Sequence, residues 1–450
     1  MKNQRGSKMS DKSPLTSIAV IGHVDHGKST LMGHFLFDIG AVDPRVMKKH
    51  ETDAEGLGMS SWKWAYVLDA FQEEKEKGKT MDIAFRRFEI EDRDFVIIDN
   101  PGHRDFTKHT IAGLSTADAC ILCISASKGE IEAGLEPGDE ITPSGQTLEH
   151  TLIASVLGIK DVIVVINKMD ATNYSEKRFN ESKQILVEFL ERIQSPWIKM
   201  LDEIPFIPIS GITGENLVNG SEKMSWYKGP TLKEAIEKIS IPEDLSSKPL
   251  RLVVYDAYQE PGIGLVGYGR IISGKIKVND RIVVAPGIRK ATVKTLWDDD
   301  EEIHEATSGM DITFLLKGEA EEDLRRGAVI GNEKQIPSSK AKVQVRLLYL
   351  GLQPLVLGNI AILHAGSDHV EAEVESVIKV HRKNSKFKNT PRDIDGKTIM
   401  IFKDEVASLV LQVKSPIVVE KQSEIPKLGR VILRKKGRVI AAAIVEDILD

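Results

Sequence analysis

Short apolar runs separated by polar, helix-like stretches dominate the first half of the chain. The runs lie at residues 17–21, 95–98, 119–124, 162–166 and 206–209, and each is followed at once by Gly, Asp, Ser or Asn. Strands buried on both faces of a parallel sheet read in this way, because helices cover both sides. The pattern predicts an α/β domain over residues 17–240, with a mostly parallel sheet and helices on both faces, after a polar tail at residues 1–16.

The pattern changes after residue 240. Residues 241–249 are rich in Pro and Ser, and a second link at residues 332–342 again contains Pro and Ser. The segments after these links alternate apolar and polar residues with a period of two, with Gly turns such as those at residues 267–275. Patterns of this kind favour small β-barrels. The sequence therefore predicts two all-β barrels, at residues 249–335 and 340–450.

The loop after the first apolar run has the pattern GxxxxGK[ST] at residues 22–30. It stands between a predicted strand and a predicted helix, which is the context of a phosphate-binding loop. Backbone N–H groups of such a loop surround a β-phosphate, the Lys28 ammonium reaches the β and γ oxygens, and the Ser29 hydroxyl can bind Mg²⁺. The predicted phosphate-binding residues are Asp25, His26, Gly27, Lys28, Ser29 and Thr30.

Three further segments indicate which nucleotide is bound. Asp99 ends a predicted strand and can reach Mg²⁺ through water, while the backbone N–H of Gly102 can meet a γ-phosphate. Residues 167–170 read NKxD, and the Asp170 carboxylate can accept from N1–H and N2–H₂ of guanine, a pair of donors that adenine lacks. Four motifs in this order, each at the end of an apolar run, predict a guanine-nucleotide site. The predicted base-binding residues are Asn167, Lys168, Asp170, Ser210, Gly211 and Ile212.

Together with residues 73–82 and the sequence GQTLEH at residues 145–150, these motifs resemble the translational GTPases of the EF-Tu and elongation factor 1-alpha family. The family includes release-factor and ribosome-rescue relatives. The resemblance implies a GTPase domain followed by two barrels, with GTP or GDP and Mg²⁺ as cofactors. By position it implies that Ser29, Thr80 and Asp99 bind the metal. It also implies that His103 positions the attacking water, with Lys28 and Thr80 completing the catalytic set.

The resemblance further implies partners. These are the ribosome, an aminoacyl-tRNA or a tRNA-mimicking protein factor as cargo, and a guanine nucleotide exchange factor as a candidate. Only 16 residues precede residue 17, which favours the elongation type, because release and rescue relatives usually carry long N-terminal extensions. A third reading is a GTP-locked binding protein with little hydrolysis, and the full catalytic set argues against it.

Three departures from the family pattern bear on function. Asp311 stands where the family has an Asn that lines the pocket for the aminoacyl group, and residues 298–302 are five carboxylates close to the expected tRNA 3′ end. Such a run repels phosphate, or is a solvated turn, and both readings stay open. Lys79 replaces an Ile that in the family forms an apolar gate with the residue at the position of Val24, so the gate is open, or Lys79 approaches the γ-phosphate, or Lys79 is simply a solvent-facing loop residue.

Composition agrees with a multidomain globular protein. The chain has 450 residues, 41% hydrophobic and 28% charged, and its length favours about three domains. No apolar run approaches the roughly 18 residues of a membrane span, so we expect a cytoplasmic protein without membrane contact. Cys120 and Cys123 lie inside an apolar run, which favours a core role. Basic residues concentrate at residues 381–392 and 430–438, and we expect at least one of these clusters to face RNA.

Overall fold

The computed structural model describes residues 15–42, 64, 84–99, 107–136, 145–193, 195–260, 262–299, 301–381 and 399–449. Among the helices in these ranges, none is both long enough and apolar enough to cross a membrane.

A six-stranded sheet forms the centre of the N-terminal unit. Its strands are β1 (Thr16–Ile21), β2 (Ala84–Ile90), β3 (Arg93–Asp99), β4 (Ala119–Ser125), β5 (Asp161–Asn167) and β6 (Phe206–Pro208). The order across the sheet is β2-β3-β1-β4-β5-β6, and all neighbours are parallel except β2 and β3. The mostly parallel sheet predicted from the apolar runs is confirmed.

Helices cover both faces of this sheet. They are α1 (Lys28–Asp38), α2 (Thr107–Thr116), α3 (Glu130–Gly134), α4 (Gln146–Val156), α5 (Glu176–Arg192) and α6 (Leu232–Glu237). Alternate residues of β1 serve the two faces: Ile18 and Val20 join one apolar cluster, whereas Ala19 and Ile21 join the other. Because side chains of a strand alternate between faces, a strand apolar at every position requires a core on each side.

The second unit is a closed antiparallel barrel. Its strands are β7 (Arg251–Glu260), β8 (Gly264–Ser273), β9 (Lys275–Lys277), β10 (Arg281–Ala285), β11 (Arg289–Asp298), β12 (Glu301–Ile303), β13 (Glu305–Thr307), β14 (Asp311–Gly318) and β15 (Val329–Asn332). Pairing of β10 with β11 closes a ring of six strands, β12 extends from β11, and β9 pairs with β13 outside the ring.

The third unit is also a closed barrel, formed by six antiparallel strands. They are β16 (Ser339–Tyr349), β17 (Ile360–Ala365), β18 (Asp368–His381), β19 (Val406–Val418), β20 (Arg430–Lys435) and β21 (Arg438–Leu449). The order around the barrel is β16-β19-β18-β17-β20-β21. The prediction of an α/β domain followed by two all-β barrels is confirmed.

A largely buried carboxylate joins the three units. Asp118, just before β4, accepts hydrogen bonds from Nη2 of Arg270 on β8 at 3.0 Å and from Nζ of Lys427 in the third unit at 2.6 Å. Burial raises the pKa of Asp118, but the charges of Lys427 and Arg270 outweigh it and hold the pKa below its usual value. Arg270 also bonds to Asp311 at 3.1 Å. Asp311 is therefore buried and paired with Arg270 inside the second unit.

The third unit also contacts the end of α4. Arg430 donates to the carbonyl oxygen of Leu157, and its guanidinium fills the space beside Gly158, where a Cβ would lie 2.7 Å from Cζ. Arg434 lies 3.6 Å from the buried carboxylate of Glu149 on α4. These two arginines of the predicted basic cluster thus face the N-terminal unit, while Lys435 and Lys436 stay exposed. The other cluster, after His381, lies outside the described residues.

Candidate guanine-nucleotide site

The predicted motifs meet at one edge of the parallel sheet. Gly22, Asp99, Asn167 and Ser210 each follow or end a strand at its carboxyl end. Helix α1, which follows β1, packs on one face of the sheet, and helix α4, which follows the neighbouring strand β4, packs on the other, so a crevice opens between these two strands. Ligands of open α/β sheets bind at such crevices.

The loop between β1 and α1 is held tightly against β4. Gly22 has a φ of 139°, and a Cβ there would lie 2.2 Å from the carbonyl oxygen of Cys123, so only glycine fits. Lys28 is the first residue of α1, and its Nζ donates to the carbonyl oxygens of Gly22 at 3.1 Å and His23 at 2.9 Å. Burial holds the pKa of Lys28 below its usual value, although the nearby charge of Asp99 partly opposes this effect. An arriving phosphate would give this buried ammonium a charged partner.

Side chains of α4 fix the first half of the loop. Three backbone N–H groups donate to them: Gly22 to Nδ1 of His150 at 3.4 Å, His23 to Oγ1 of Thr147 at 3.1 Å, and Val24 to Oε1 of Gln146 at 3.2 Å. Burial, with a contribution from Lys28, lowers the pKa of His150 to about 3, so its ring is neutral and can accept. The GQTLEH motif contributed to the family resemblance, but nothing in its residue types predicted this role.

The ring of His26 points into the protein. Its Nδ1 lies 3.1 Å from the carbonyl oxygen of Cys123, and its Nε2 lies 3.2 Å from that of Glu130 on α3. Burial lowers its pKa to about 4, so the ring is neutral at physiological pH. The imidazole is therefore engaged away from the crevice, and only the backbone of His26 is left to meet a phosphate.

Asn167 connects two loops of the crevice. Its Nδ2 donates to the carbonyl oxygen of His26 at 2.9 Å, and its Oδ1 accepts from the backbone N–H of Gly211 at 2.9 Å. The side chain is buried and therefore needs hydrogen-bond partners within the protein, and these two bonds supply one for each end of the amide. Asn167 thus joins the loop predicted for phosphate to the loop predicted for the base.

Asp170 is oriented by a neighbour. The Oγ of Ser210, which is fully buried, donates to its Oδ1 at 2.6 Å. The same Oγ accepts from the backbone N–H of Thr213 at 3.2 Å. This chain of bonds fixes the direction of the carboxylate before any ligand arrives.

The loop at Gly211 and Ile212 is supported from α1. Nδ1 of His34 lies 2.8 Å from the carbonyl oxygen of Gly211, and Nε1 of Trp64 donates to that of Ile212 at 3.3 Å. The two rings stack, with centroids 3.7 Å apart and planes 9° from parallel. Neither residue was among those predicted from the sequence, although His34 and Asp38 at helical i,i+4 spacing offered a weak signal.

Lys168 is paired with a residue that carried no motif. Its Nζ lies 2.7 Å from Oε2 of Glu130, the first residue of α3. Burial raises the pKa of Glu130, but hydrogen bonds from Lys168 and Ser125 outweigh it, and the pKa lies below its usual value. Glu130 is therefore ionised at neutral pH.

Two of the predicted metal ligands lie together. Oγ of Ser29 and Oδ2 of Asp99 are 3.5 Å apart at the mouth of the crevice. A hydroxyl and a carboxylate suit Mg²⁺, which binds through one or two protein oxygens together with waters and substrate phosphates. Within the described ranges there is no group of three or more His, Cys, Asp or Glu side chains that could hold another metal.

Of the other predicted residues, Asp25 is exposed in the loop and Thr30 is half-buried in the first turn of α1, which leaves Thr80, Gly102 and His103, with Lys79 of the gate. All four lie outside the described residues. Val24, the other half of the gate, has 45% of its surface exposed.

Comparisons with known proteins cover all three units. The chain matches the family described as "Elongation factor Tu GTP binding domain" over residues 13–249. It matches "Elongation factor Tu domain 2" over residues 264–331 and "GTP-eEF1A C-terminal domain-like" over residues 342–446.

Similar proteins span the same length. The chain is 40% identical to elongation factor 1-alpha of Thermofilum pendens over 446 residues, which is 98% of this chain and 99% of the relative. It is 38% identical to elongation factor 1-alpha of Desulfurococcus mucosus, with 97% of each chain covered. The crystal structure of the S. cerevisiae Ski7 GTPase-like domain bound to GTP has a TM-score of 0.73 at 18% identity, with 97% of this chain and 98% of that chain covered. That likeness shows the fold alone.

Proposed function

Because the chain belongs to the family of elongation factor Tu and elongation factor 1-alpha GTPases, we propose that this GTP-dependent translation factor delivers aminoacyl-tRNA to the ribosomal A site. The observation that carries the proposal is collinearity: 98% of the chain aligns with 99% of an elongation factor 1-alpha. We propose the ribosome, aminoacyl-tRNA and an exchange factor as partners, and a cytoplasmic location. The proposed domain limits are residues 17–240, 249–335 and 340–450.

In the proposed site, backbone N–H groups of residues 25–30 surround the phosphates and Lys28 neutralises the β and γ oxygens. Asp170 accepts from guanine N1–H and N2–H₂, while N–H groups of residues 210–212 face O6, and Asn167 and Lys168 complete the base pocket. Ser29, Thr80 and Asp99 would hold Mg²⁺, which neutralises phosphate charge when bound. Positioning and fixed charge supply most of the rate in such sites, since phosphoryl transfer leaves the protein little covalent chemistry.

Hydrolysis is assigned to a water that His103 positions when the ribosome aligns it. Replacing His103 with Ala is expected to lower the ribosome-stimulated single-turnover rate about a hundredfold, because a positioned proton-transfer group contributes that much or more. GDP affinity should stay within twofold of the unmodified protein. The measurement is GTP hydrolysis on purified protein, with and without programmed ribosomes and aminoacyl-tRNA. Full stimulation in the variant, or none in the unmodified protein, would reject this mechanism.

One observation favours the second candidate, a factor that carries a tRNA-shaped protein. Arg87 on β2 lies 2.5 Å from Asp298, 3.5 Å from Asp299 and 3.2 Å from Asp94. Burial lowers the pKa of Arg87, but these carboxylates outweigh it and raise the pKa. A single guanidinium therefore faces several carboxylates, and the exposed Asp299, Glu301 and Glu302 leave the turn negative. Such a turn repels an RNA phosphate and attracts a basic protein loop.

Neutralising the exposed part of this turn distinguishes between the two candidate cargoes, because the affinity for each should change in the opposite direction. The triple change Asp299→Asn, Glu301→Gln and Glu302→Gln keeps the Asp298 contact to Arg87. It should tighten aminoacyl-tRNA binding three- to tenfold if the turn faces the tRNA end, since each near charge is worth up to about 1 kcal/mol at moderate salt. A protein cargo with a basic loop should instead be bound more weakly.

The measurement is a filter or fluorescence titration of each cargo on the GTP-loaded protein. The matched control neutralises three exposed carboxylates of the N-terminal unit, namely Glu191, Glu203 and Glu222. Equal affinities in the triple variant and the control would show that the turn is only solvated.

A further inference from the structure

The short helix α3 contacts both the phosphate loop and the NKxD segment at residues 167–170. Its first residue, Glu130, offers its carboxylate to Nζ of Lys168 at 2.7 Å and its backbone carbonyl to Nε2 of His26 at 3.2 Å. His26 belongs to the loop predicted for phosphate, and Lys168 to the motif predicted for guanine. No motif in the sequence pointed to Glu130, and the proposed chemistry does not use it.

The contact fixes where the Lys168 side chain lies. Its backbone has a φ of 61°, and 26% of its side chain is exposed, so the chain is partly covered along its length. A lysine whose ammonium is held at one end presents its methylene groups to whatever lies beside them. With the ammonium on Glu130, these methylenes are the part of Lys168 left for a flat base.

The Glu130 carboxylate is ionised and hydrogen-bonded in a way that favours this contact. Its pKa is held below the usual value despite burial, so it is charged when Lys168 is charged, and Ser125 at the end of β4 also bonds to it. Its side chain is 35% exposed, and an exposed ion pair alone adds little to stability. We therefore expect the Glu130–Lys168 pair to affect the position of the Lys168 side chain in the pocket more than the free energy of unfolding.

We propose that Glu130 is a positioning residue that sets how long a guanine nucleotide stays bound. Its carboxylate holds the Lys168 side chain in place for the base. The inference rests on the proposed guanine site and adds to it a residue that acts through Lys168.

The test measures dissociation of a fluorescent GDP analogue by stopped flow. Glu130→Ala should raise the dissociation rate five- to tenfold, while the association rate stays within twofold. Glu130→Gln keeps an acceptor for Lys168 and should raise it only about twofold. The matched control is Glu132→Ala on the same helix, whose carboxylate lies 3.6 Å from Arg178 instead, and it should leave the rate unchanged.

A double-mutant cycle separates this role from general loosening of α3. In a Lys168→Ala background, Glu130→Ala should add less than twofold, because the group through which it acts is gone. Circular dichroism and the unfolding temperature of each variant establish that it is folded. Equal dissociation rates for Glu130→Ala and Glu132→Ala, or an undiminished effect in the Lys168→Ala background, would overturn the inference. If the unmodified protein fails to bind the analogue, the proposed guanine site itself is rejected.

Discussion

Replacing Asp170 with Asn is expected to weaken GDP binding about a thousandfold. In the proposed site this carboxylate accepts from two guanine donors, and a hydrogen bond to a charged group contributes roughly 1.5–3 kcal/mol. Loss of about 4 kcal/mol corresponds to three factors of ten in affinity. The new amide can donate to the 2-oxo group of xanthine, so XDP should bind the variant more tightly than GDP does. Competition between GDP, XDP and ADP on purified protein measures the change.

The local structure should survive this substitution. Ser210 donates to Oδ1 of Asp170 at 2.6 Å, and an Asn side chain keeps a carbonyl oxygen for that bond. Asp202→Asn, at an exposed position of the same unit, serves as a control and should leave all three affinities unchanged. If ADP competes as well as GDP with the unmodified protein, guanine recognition by Asp170 is wrong.

Asp118→Ala is expected to lower the free energy of unfolding by about 3 kcal/mol or more. Arg270 keeps its contact to Asp311, but Lys427 loses its only carboxylate partner among the described residues, and a largely buried cation without its partner typically costs 3–5 kcal/mol. Because the pKa of Asp118 is held below its usual value, this contribution is complete above about pH 4 and is lost as the pH falls through the lowered pKa. Urea unfolding of the nucleotide-bound protein measures the loss.

A second substitution tests the physical reason. Adding Lys427→Met to Asp118→Ala removes the cation that lost its carboxylate partner, so part of the stability should return. A loss below 1 kcal/mol in the single variant would mean that the pair is hydrated and behaves like a surface ion pair. It would then contribute little to holding the three units together.

The sequence predicted the parallel sheet because both of its faces are covered, which makes strands such as β1 and β4 apolar at every position. It predicted the site because the glycines and polar residues that end these strands must meet at one edge. The supports of the site carry no such signal. His34 and Trp64 read as ordinary helix and core residues, and only the folded chain brings their rings under the loop at Gly211.

Pairs of charged residues at the contacts between units were even harder to predict from the sequence. Arg87 and Asp298 are 211 residues apart, and Arg270 and Asp118 are 152 apart. Spacing within one element cannot reveal such pairs. Asp311 looked like a change in a cargo pocket, whereas the structure buries it against Arg270. The basic stretch around Arg430 looked like an RNA surface, whereas two of its arginines contact α4.

Helix α4 connects the third unit to the phosphate loop, so binding at one can change binding at the other. Its first turn holds the backbone of the phosphate loop through Thr147, Gln146 and His150, and its far end is held by Arg430 of the third unit. If a partner on the third unit shifts this helix and thereby changes GDP affinity by some factor, GDP must change the affinity for that partner by the same factor. Titrating a cargo in the presence of GDP and of GTP, and each nucleotide in the presence of cargo, should therefore close a cycle with a single coupling free energy.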